Sequence, residues 1–205
     1  MTLIKICGIT NLPDAMVVAD AGADFLGFIF APKSPRYIEP SEAKRLRESL
    51  PDRVTPVGVF VNEPFERVNE IVKDVGLGAV QLHGDESPGY AMRMVVDVIK
   101  VYRVSRLFLP ADVADYPSKA VLLDSYVKDV PGGTGKTLNW GVAKATNQYA
   151  KVMLAGGLSP DNAVEAVEHV SPWAIDASSG VELSPGKKDH AAVARLIEQV
   201  RAVTE

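Results

Sequence analysis

The chain has 205 residues, 47% of them hydrophobic and 23% charged, a composition typical of a globular protein. Its net charge of −4 provides no basic surface for nucleic acid, and no apolar stretch approaches the ~20 residues that a membrane span requires. One cysteine excludes an internal disulfide and a multi-cysteine metal site. The N-terminus has no signal-like apolar run, so we expect a cytoplasmic protein.

Apolar runs rich in β-branched residues predict strands, and stretches with helical spacing separate them. In chain order the predicted strands are 3–7, 25–30, 55–61, 78–82, 97–104, 119–124, 150–155 and 173–177. Helices are predicted over 11–21, 41–50, 65–75, 162–170 and 191–203, and weaker helical patterns cover 88–96, 105–116 and 140–148. Asn11 and Ser41 are the candidate N-caps of the first two helices.

Strands that alternate with helices predict parallel pairing through right-handed crossovers. The strands are nearly continuous apolar runs, which indicates that both faces of the sheet are covered. Eight such units predict a (β/α)8 barrel, the TIM barrel, as a single domain over residues 1–205. The alternative is an open doubly wound sheet, but no G-x-G-x-x-G opens the first helix.

Catalytic residues of such barrels lie at the C-terminal ends of the strands, and the first strand ends on Cys7. A lone cysteine is usually a small buried hydrophobe. Its thiolate is nevertheless reactive, and positive charge nearby lowers its pKa. Lys5 shares a strand face with Cys7. We therefore expect Lys5 to pair with an acid such as Asp176, on the adjoining eighth strand, and to bias Cys7 toward the thiolate.

Asp124 ends the sixth predicted strand, in the run VLLD. An aspartate at such a position commonly caps a helix or forms a turn. In a ring of eight strands, however, it lies roughly opposite the first strand. Asp124 and Cys7 are therefore the candidate acid and base, able to hold a sugar between them.

Two loops indicate phosphate binding. LAGGLSPDN (154–162) follows the seventh strand and DASSGVE (176–182) follows the eighth, where barrel enzymes often bind phosphate through backbone N–H donors. The candidate residues are Gly156, Gly157, Ser178, Ser179 and Gly180.

GGTGKT (132–137) suggests a P-loop, but that motif needs glycine where Val130 stands. We expect instead a mobile glycine-rich loop that closes over bound substrate.

Three further side chains are candidate substrate-binding residues. Arg36 follows the second strand; a loop arginine is usually a solvated charge, but Pro35 and Tyr37 could hold it rigidly as a carboxylate binder. Gln81 and His83 share one face of the fourth strand. His83 is expected to be a neutral hydrogen-bonding histidine rather than a base.

These segments together resemble the phosphoribosylanthranilate isomerase family of tryptophan biosynthesis, nearly end to end. The matching segments are KICGIT (5–10), GFIFAPKSPRYI (27–38), VGVFVN (57–62), VQLHGDE (80–86), LLDS (122–125), GGTGKTLNW (132–140), AGGLSPDN (155–162), DASSGVE (176–182) and PGKKDH (185–190). One departure is Ala177, where many relatives have Val.

The resemblance implies an Amadori rearrangement of N-(5-phosphoribosyl)anthranilate to 1-(2-carboxyphenylamino)-1-deoxyribulose 5-phosphate. By resemblance, Asp124 is the general acid, Cys7 is the base that removes a sugar proton, and Arg36 holds the anthranilate carboxylate. The glycines and serines of the two loops surround the phosphate. No metal or organic cofactor is expected, the partner is a small phosphosugar rather than nucleic acid or membrane, and the chain acts as a monomer or homodimer.

Two other functions compete with this one. A related isomerase acts on the aminoimidazole substrate of histidine biosynthesis, alone or on both substrates, but such enzymes resemble this chain with aspartate as the base where Cys7 stands. A thiol redox protein or a binding protein is the alternative from another class. A redox sensor would ideally have a second cysteine, and a binding protein has no need of the Cys7 and Asp124 pair.

Overall fold

The computed structural model describes residues 1–125 and 139–204. Eight parallel strands pair in chain order, and the last pairs with the first to close a barrel. The strands are β1 (Leu3–Cys7), β2 (Phe25–Ile29), β3 (Thr55–Phe60), β4 (Ala79–Leu82), β5 (Asp97–Val104), β6 (Ala120–Ser125), β7 (Val152–Leu154) and β8 (Ala174–Ala177). The predicted (β/α)8 barrel is confirmed, and the open sheet is excluded.

Helices follow most strands and cover the outside of the barrel. They are α1 (Leu12–Asp20), α2 (Pro40–Glu48), α3 (Phe65–Val75), α4 (Pro88–Ala91), α5 (Trp140–Thr146), α6 (Ala163–Val170) and α7 (His190–Thr204). The helix predicted over 105–116 is wrong, because that segment forms only a 3-10 turn at Pro110–Val113. Leu107 and Leu109, which contribute to its apolar pattern, are 88% and 63% exposed and face away from the core.

The predicted N-caps had different outcomes. Asn11 caps α1, and its side chain accepts a hydrogen bond from the Asp14 N–H. Ser41 does not cap α2, because that helix already begins at Pro40. Proline suits the first helical position, since its ring fixes φ and its missing N–H would have had no helical partner.

Alternate residues of the strands fill the barrel with a layered apolar cluster, separate from the core under the helices. The cluster contains Val57, Ala79, Ile99, Val101, Leu122, Met153, Ala155 and Ala174. Lys5 stands in register with Asp176, and Cys7 with Gly27. The barrel interior therefore becomes polar at the C-terminal ends of the strands, where parallel barrels carry their active sites.

A short antiparallel hairpin follows β8 and was not predicted. It consists of β9 (Glu182–Ser184) and β10 (Lys187–Lys188), joined through Pro185 and Gly186, with Gly186 at φ 80°. The Pro-Gly pair is a strong turn signal. No helix within the described residues is long and apolar enough to cross a membrane.

A buried ion pair fixes the loop after β4. The Lys100 ammonium donates to Glu86 Oε2 at 2.8 Å and to the Gly84 carbonyl at 2.6 Å. The two side chains are 7% and 1% exposed. Glu86 also accepts from the backbone N–H of Asn62 at 2.9 Å. The pair therefore holds the segment that carries His83.

We expect Lys100→Met to lower the free energy of unfolding by about 3–5 kcal/mol, because the buried Glu86 carboxylate loses its cation. Urea unfolding at pH 7 measures the loss. Lys119→Met is the control: its ammonium lies 3.5 Å from Asp97, both side chains are half exposed, and the cost should stay below about 1 kcal/mol. Equal losses in the two variants would contradict the role given to the buried pair.

Candidate active site

Cys7 is the last residue of β1 and is buried at the barrel mouth. Its neighbour on β2 is Gly27, where a Cβ atom would lie 2.7 Å from the Cys7 Sγ and 3.1 Å from the Lys5 Nζ. Glycine at this position therefore leaves room for both groups. The same geometry places the ammonium close to the thiol.

The Lys5 ammonium lies 2.9 Å from Asp176 Oδ1, as the alternation along β1 predicted. Lys5 is fully buried and Asp176 nearly so. Burial would lower the pKa of Lys5, but the charge of Asp176 and the hydrogen bond to it outweigh burial and raise that pKa. The residue is therefore an ammonium at neutral pH.

The predicted bias of Cys7 toward the thiolate is met only in part. Burial raises the pKa of Cys7, and the charge of Asp176 raises it further. The ammonium groups of Lys5 and Lys188 lower it, but the net pKa stays above the ordinary value. The thiol is therefore the favoured form, and the two lysines limit the cost of ionising it.

Lys188 and Glu182, which are not among the predicted site residues, belong to the same cluster. The Lys188 ammonium is fully buried and donates to the Cys7 carbonyl at 2.6 Å, to Glu182 Oε1 at 2.7 Å and to the Ser178 carbonyl at 3.3 Å. Both residues lie on the hairpin, whose polar sequence suggests an exposed segment. The turn signal at 185–186 predicts a reversal there, but nothing local indicates that these charges are buried.

Arg36 lies over the tip of β1. Gly8, which follows Cys7, has φ 79°, and a Cβ atom there would lie 2.7 Å from the Arg36 Cδ. The guanidinium donates from Nε and Nη2 to Glu182, at 3.0 and 2.7 Å. Its side chain is 14% exposed rather than solvated. An internal carboxylate thus orients Arg36.

Gln81 and His83 meet at the C-terminal end of β4, where Gln81 Nε2 lies 3.5 Å from His83 Nδ1. Gln81 Oε1 and His83 Nε2 are buried and contact no hydrogen-bonding partner within the described residues. Burial, followed by the charges of Arg103 and Lys5, lowers the pKa of His83 to about 4. A neutral imidazole that accepts at Nδ1 has its proton on Nε2 and can donate it to a ligand.

Asp124 lies on β6, is buried, and stands in register with Arg103 on β5. Ile99 and Val101 belong to the barrel interior, so strand alternation places Arg103 on the inward face at the mouth. Arg103 was not singled out from the sequence, although the same alternation predicts its position. The Arg103 side chain is exposed at this mouth, and its positive charge acts on His83.

The loops after β7 and β8 lie against each other. Gly156 and Gly157 have φ 85° and 73°, and the Asn162 side chain donates to the Gly157 carbonyl at 3.0 Å. A Cβ atom at Gly180 would overlap the Leu158 carbonyl, so only glycine allows this approach.

The Ser178 hydroxyl donates to the Cys7 carbonyl at 3.1 Å, which ties the loop after β8 to the tip of β1. Ser179 begins the 3-10 turn Ser179–Val181. The expectation of a closing GGTGKT loop lies outside the described residues. Within the described ranges no group of three or more His, Cys, Asp or Glu side chains is arranged to hold a metal ion.

A thiol, a carboxyl group and two adjoining glycine- and serine-containing loops at one mouth are typical of a (β/α)8-barrel isomerase that binds a phosphorylated substrate. The family model described as N-(5'phosphoribosyl)anthranilate (PRA) isomerase matches residues 4–199. The chain belongs to this family. It is 48% identical over 203 residues to N-(5'-phosphoribosyl)anthranilate isomerase from Citrifermentans bemidjiense, covering 99% of this chain and 98% of that protein.

Solved structures of the same family are also similar to the chain over nearly its whole length. A phosphoribosyl anthranilate isomerase from Thermus thermophilus superposes with a TM-score of 0.91 at 36% identity, over 98% of this chain and 100% of that one. A second isomerase structure, with a TM-score of 0.85 and 37% identity over 98% of this chain and 100% of that one, is a complex with reduced 1-(o-carboxyphenylamino)-1-deoxyribulose 5-phosphate.

Acidification should destabilise the fold through His83. The pKa of His83 is 6.5 in the unfolded chain and about 4 in the folded chain. Between these pH values the unfolded state therefore binds more protons than the folded state. Stability therefore falls as pH falls through this window, and the contribution of His83 between pH 7 and 5 is about 2 kcal/mol.

Urea unfolding of His83→Asn at pH 7 and pH 5 tests this expectation. Between pH 7 and pH 5, the free energy of unfolding should fall by about 2 kcal/mol less in the variant than in the wild type. His169→Asn, at an exposed histidine of α6, serves as the control and should retain the wild-type pH dependence. The same pH dependence in the wild type and His83→Asn would show that His83 is not held neutral.

Proposed function

We propose that this protein catalyses the Amadori rearrangement of N-(5-phosphoribosyl)anthranilate to 1-(2-carboxyphenylamino)-1-deoxyribulose 5-phosphate, in the cytoplasm. The observation that carries the proposal is that Cys7 and Asp124, the candidate base and acid, are both buried at the same barrel mouth. Family membership and a structural neighbour that binds the reduced form of this product support it.

The first step opens the sugar ring. Asp124 acts as general acid and protonates the ring oxygen while the bond between that oxygen and C1 breaks. The lone pair of the anthranilate nitrogen moves into the new C1=N bond, so the substrate's own nitrogen provides the electron sink. Arg103, whose backbone pairs with that of Asp124, carries a positive charge at the same barrel mouth.

The second step moves a proton. The Cys7 thiolate removes the proton from C2, and the electron pair flows into the iminium to give an enolamine. The enolamine gains a proton at C1 and loses one from the C2 hydroxyl, which gives the aminoketose. The overall reaction is an isomerisation and consumes no proton.

The remaining groups bind the substrate. Arg36 holds the anthranilate carboxylate, since a guanidinium suits planar bidentate recognition. Gly156, Gly157, Ser178, Ser179 and Gly180 surround the phosphate mainly through backbone N–H groups, because the Ser178 hydroxyl already donates to Cys7. The buried Gln81 Oε1 and His83 Nε2 offer an acceptor and a donor to the sugar hydroxyls.

Turnover of the purified protein tests the function directly. N-(5-phosphoribosyl)anthranilate should be consumed, as followed by the fluorescence of its anthranilate group. The histidine-pathway substrate is assayed in parallel. Faster turnover of the aminoimidazole substrate would overturn the proposal in favour of the related isomerase, and turnover of neither would favour a binding protein.

Cys7→Ser and Asp124→Asn should each lower kcat by about 10²- to 10⁴-fold, the range for loss of a general acid or base. Both variants should still bind the reduced product analogue, because each substitution keeps the shape of the side chain. Steady-state kinetics and calorimetric titration measure the two quantities. The exposed Asp97→Asn variant is the control. Unimpaired turnover in Cys7→Ala would exclude the thiol as the base.

Lys5 and Asp176 should change the pKa of Cys7 in opposite directions. Lys5→Met removes the charge that lowers this pKa, so the pKa rises. Asp176→Asn removes a charge that raises it, so the pKa falls.

Absorbance of the thiolate near 240 nm, titrated with pH, reports these shifts. The chain has one cysteine, and Cys7→Ser provides the blank for tyrosine absorbance. A rise in both variants would contradict the expected opposition, because it would mean that the buried Lys5 loses its proton once Asp176 no longer offsets its burial.

A further inference from the structure

We infer that Glu182 is a positioning residue that sets the orientation of Arg36 and thereby the recognition of the substrate's aromatic carboxylate. This inference rests on the proposed function, because it assumes that Arg36 receives that carboxylate. The hairpin β9–β10, on which Glu182 lies, would then contribute to specificity rather than only cover the end of the barrel.

The contact between Glu182 and Arg36 fixes a plane. Arg36 Nε lies 3.0 Å from both carboxylate oxygens of Glu182, and Nη2 lies 2.7 Å from Oε2. The Glu182 side chain is 3% exposed. A side-on bidentate pair in so buried a position leaves the guanidinium few alternative orientations.

The same contact leaves one edge of the guanidinium unused. A guanidinium has five N–H donors. Glu182 accepts from the single N–H of Nε and from one of the two N–H groups of Nη2. Within the described residues nothing accepts from Nη1. The edge formed by Nη1 and Nη2 therefore offers two parallel N–H groups, the geometry that binds a second carboxylate.

Glu182 also connects Arg36 to the catalytic strand. Its Oε1 accepts from the Lys188 ammonium at 2.7 Å, and that ammonium donates to the Cys7 carbonyl at 2.6 Å and to the Ser178 carbonyl at 3.3 Å. The Glu182 carboxylate is thus linked directly to Arg36 and, through Lys188, to the backbone of Cys7 and to the loop after β8. Movement of Arg36 relative to Cys7 requires breaking this link.

Charge balance explains why an acid is needed at this position. Burial would raise the pKa of Glu182, but hydrogen bonds and charge from Arg36 and Lys188 outweigh burial and lower it. Glu182 is therefore a carboxylate at neutral pH. Without it, two neighbouring cations would repel each other, and the long Arg36 side chain would regain its rotamer freedom, which binding must then remove.

The experiment uses two ligands and measures their dissociation constants by calorimetry. One is the reduced product analogue, reduced 1-(o-carboxyphenylamino)-1-deoxyribulose 5-phosphate, and the other is the same molecule with hydrogen in place of the ring carboxylate. Glu182→Gln should raise the dissociation constant of the ligand with the carboxylate about 10- to 100-fold, which corresponds to the free energy of a hydrogen bond to a charged group. It should raise the dissociation constant of the ligand without the carboxylate less than about threefold.

A double-mutant cycle tests whether Glu182 acts on ligand recognition through Arg36 or only by stabilising the surrounding structure. In an Arg36→Met background, Glu182→Gln should no longer change the ratio of the two affinities. Equal weakening of both ligands by Glu182→Gln would overturn the inference, and so would a change in the ratio that persists without Arg36. Because the readout is a ratio, a general loss of folded protein does not imitate the expected result.

Two further variants complete the design. Asp24→Asn removes a carboxylate 2.7 Å from Arg201 at the opposite end of the barrel, and it should leave the affinity ratio unchanged. If Glu182→Gln does not fold, Glu182→Asp replaces it, because it retains the charge on a shorter side chain. Glu182→Asp should also reduce the preference for the ligand with the carboxylate. An unchanged ratio in Glu182→Asp would then count against the inference.

The proposed function fails separately. If the wild type does not turn over N-(5-phosphoribosyl)anthranilate, the assumed reaction is wrong whatever the ratios show. If the wild type turns it over and distinguishes the two ligands, but Glu182→Gln distinguishes them equally well, only the role of Glu182 is wrong.

Discussion

The pairing of β8 with β1 closes the barrel, and the arrangement of the candidate site depends on that closure. It places Lys5 in register with Asp176 and brings the Ser178 hydroxyl to the Cys7 carbonyl. The hairpin that follows β8 then lies over β1, where Lys188 reaches the same carbonyl. An open sheet would leave these residues at two distant edges.

The cost of this arrangement is the burial of several charges around one thiol. Desolvation of buried ions is expensive, and an ion pair recovers that cost only with good geometry and further hydrogen bonds. The ammonium of Lys188 donates to one carboxylate and two carbonyls, which offset its burial only in part, because burial still lowers the pKa of Lys188. Such pairs are weak evidence for stability, but they place charge accurately in a site where charge develops during reaction.

The opposing effects on Cys7 illustrate how the site is adjusted. Burial and Asp176 raise the pKa of the thiol, whereas Lys5 and Lys188 lower it. In the proposed reaction, such a thiol remains protonated when idle, and the neighbouring cations stabilise its anionic form for the proton transfer. His83, by contrast, is kept neutral by burial and neighbouring cations and provides a hydrogen bond rather than a charge.

The sequence by itself determined the barrel, the family and the positions of Cys7, Lys5 and Asp124, because these depend on strand periodicity and on motifs that are local in the chain. It did not determine the burial of Glu182 and Lys188, since a polar hairpin becomes buried only when it packs on a distant strand. The net pKa of Cys7 was likewise decided by tertiary structure, because desolvation depends on every group packed around the thiol. Local pattern specifies which elements form, and only packing decides which charges lose their water.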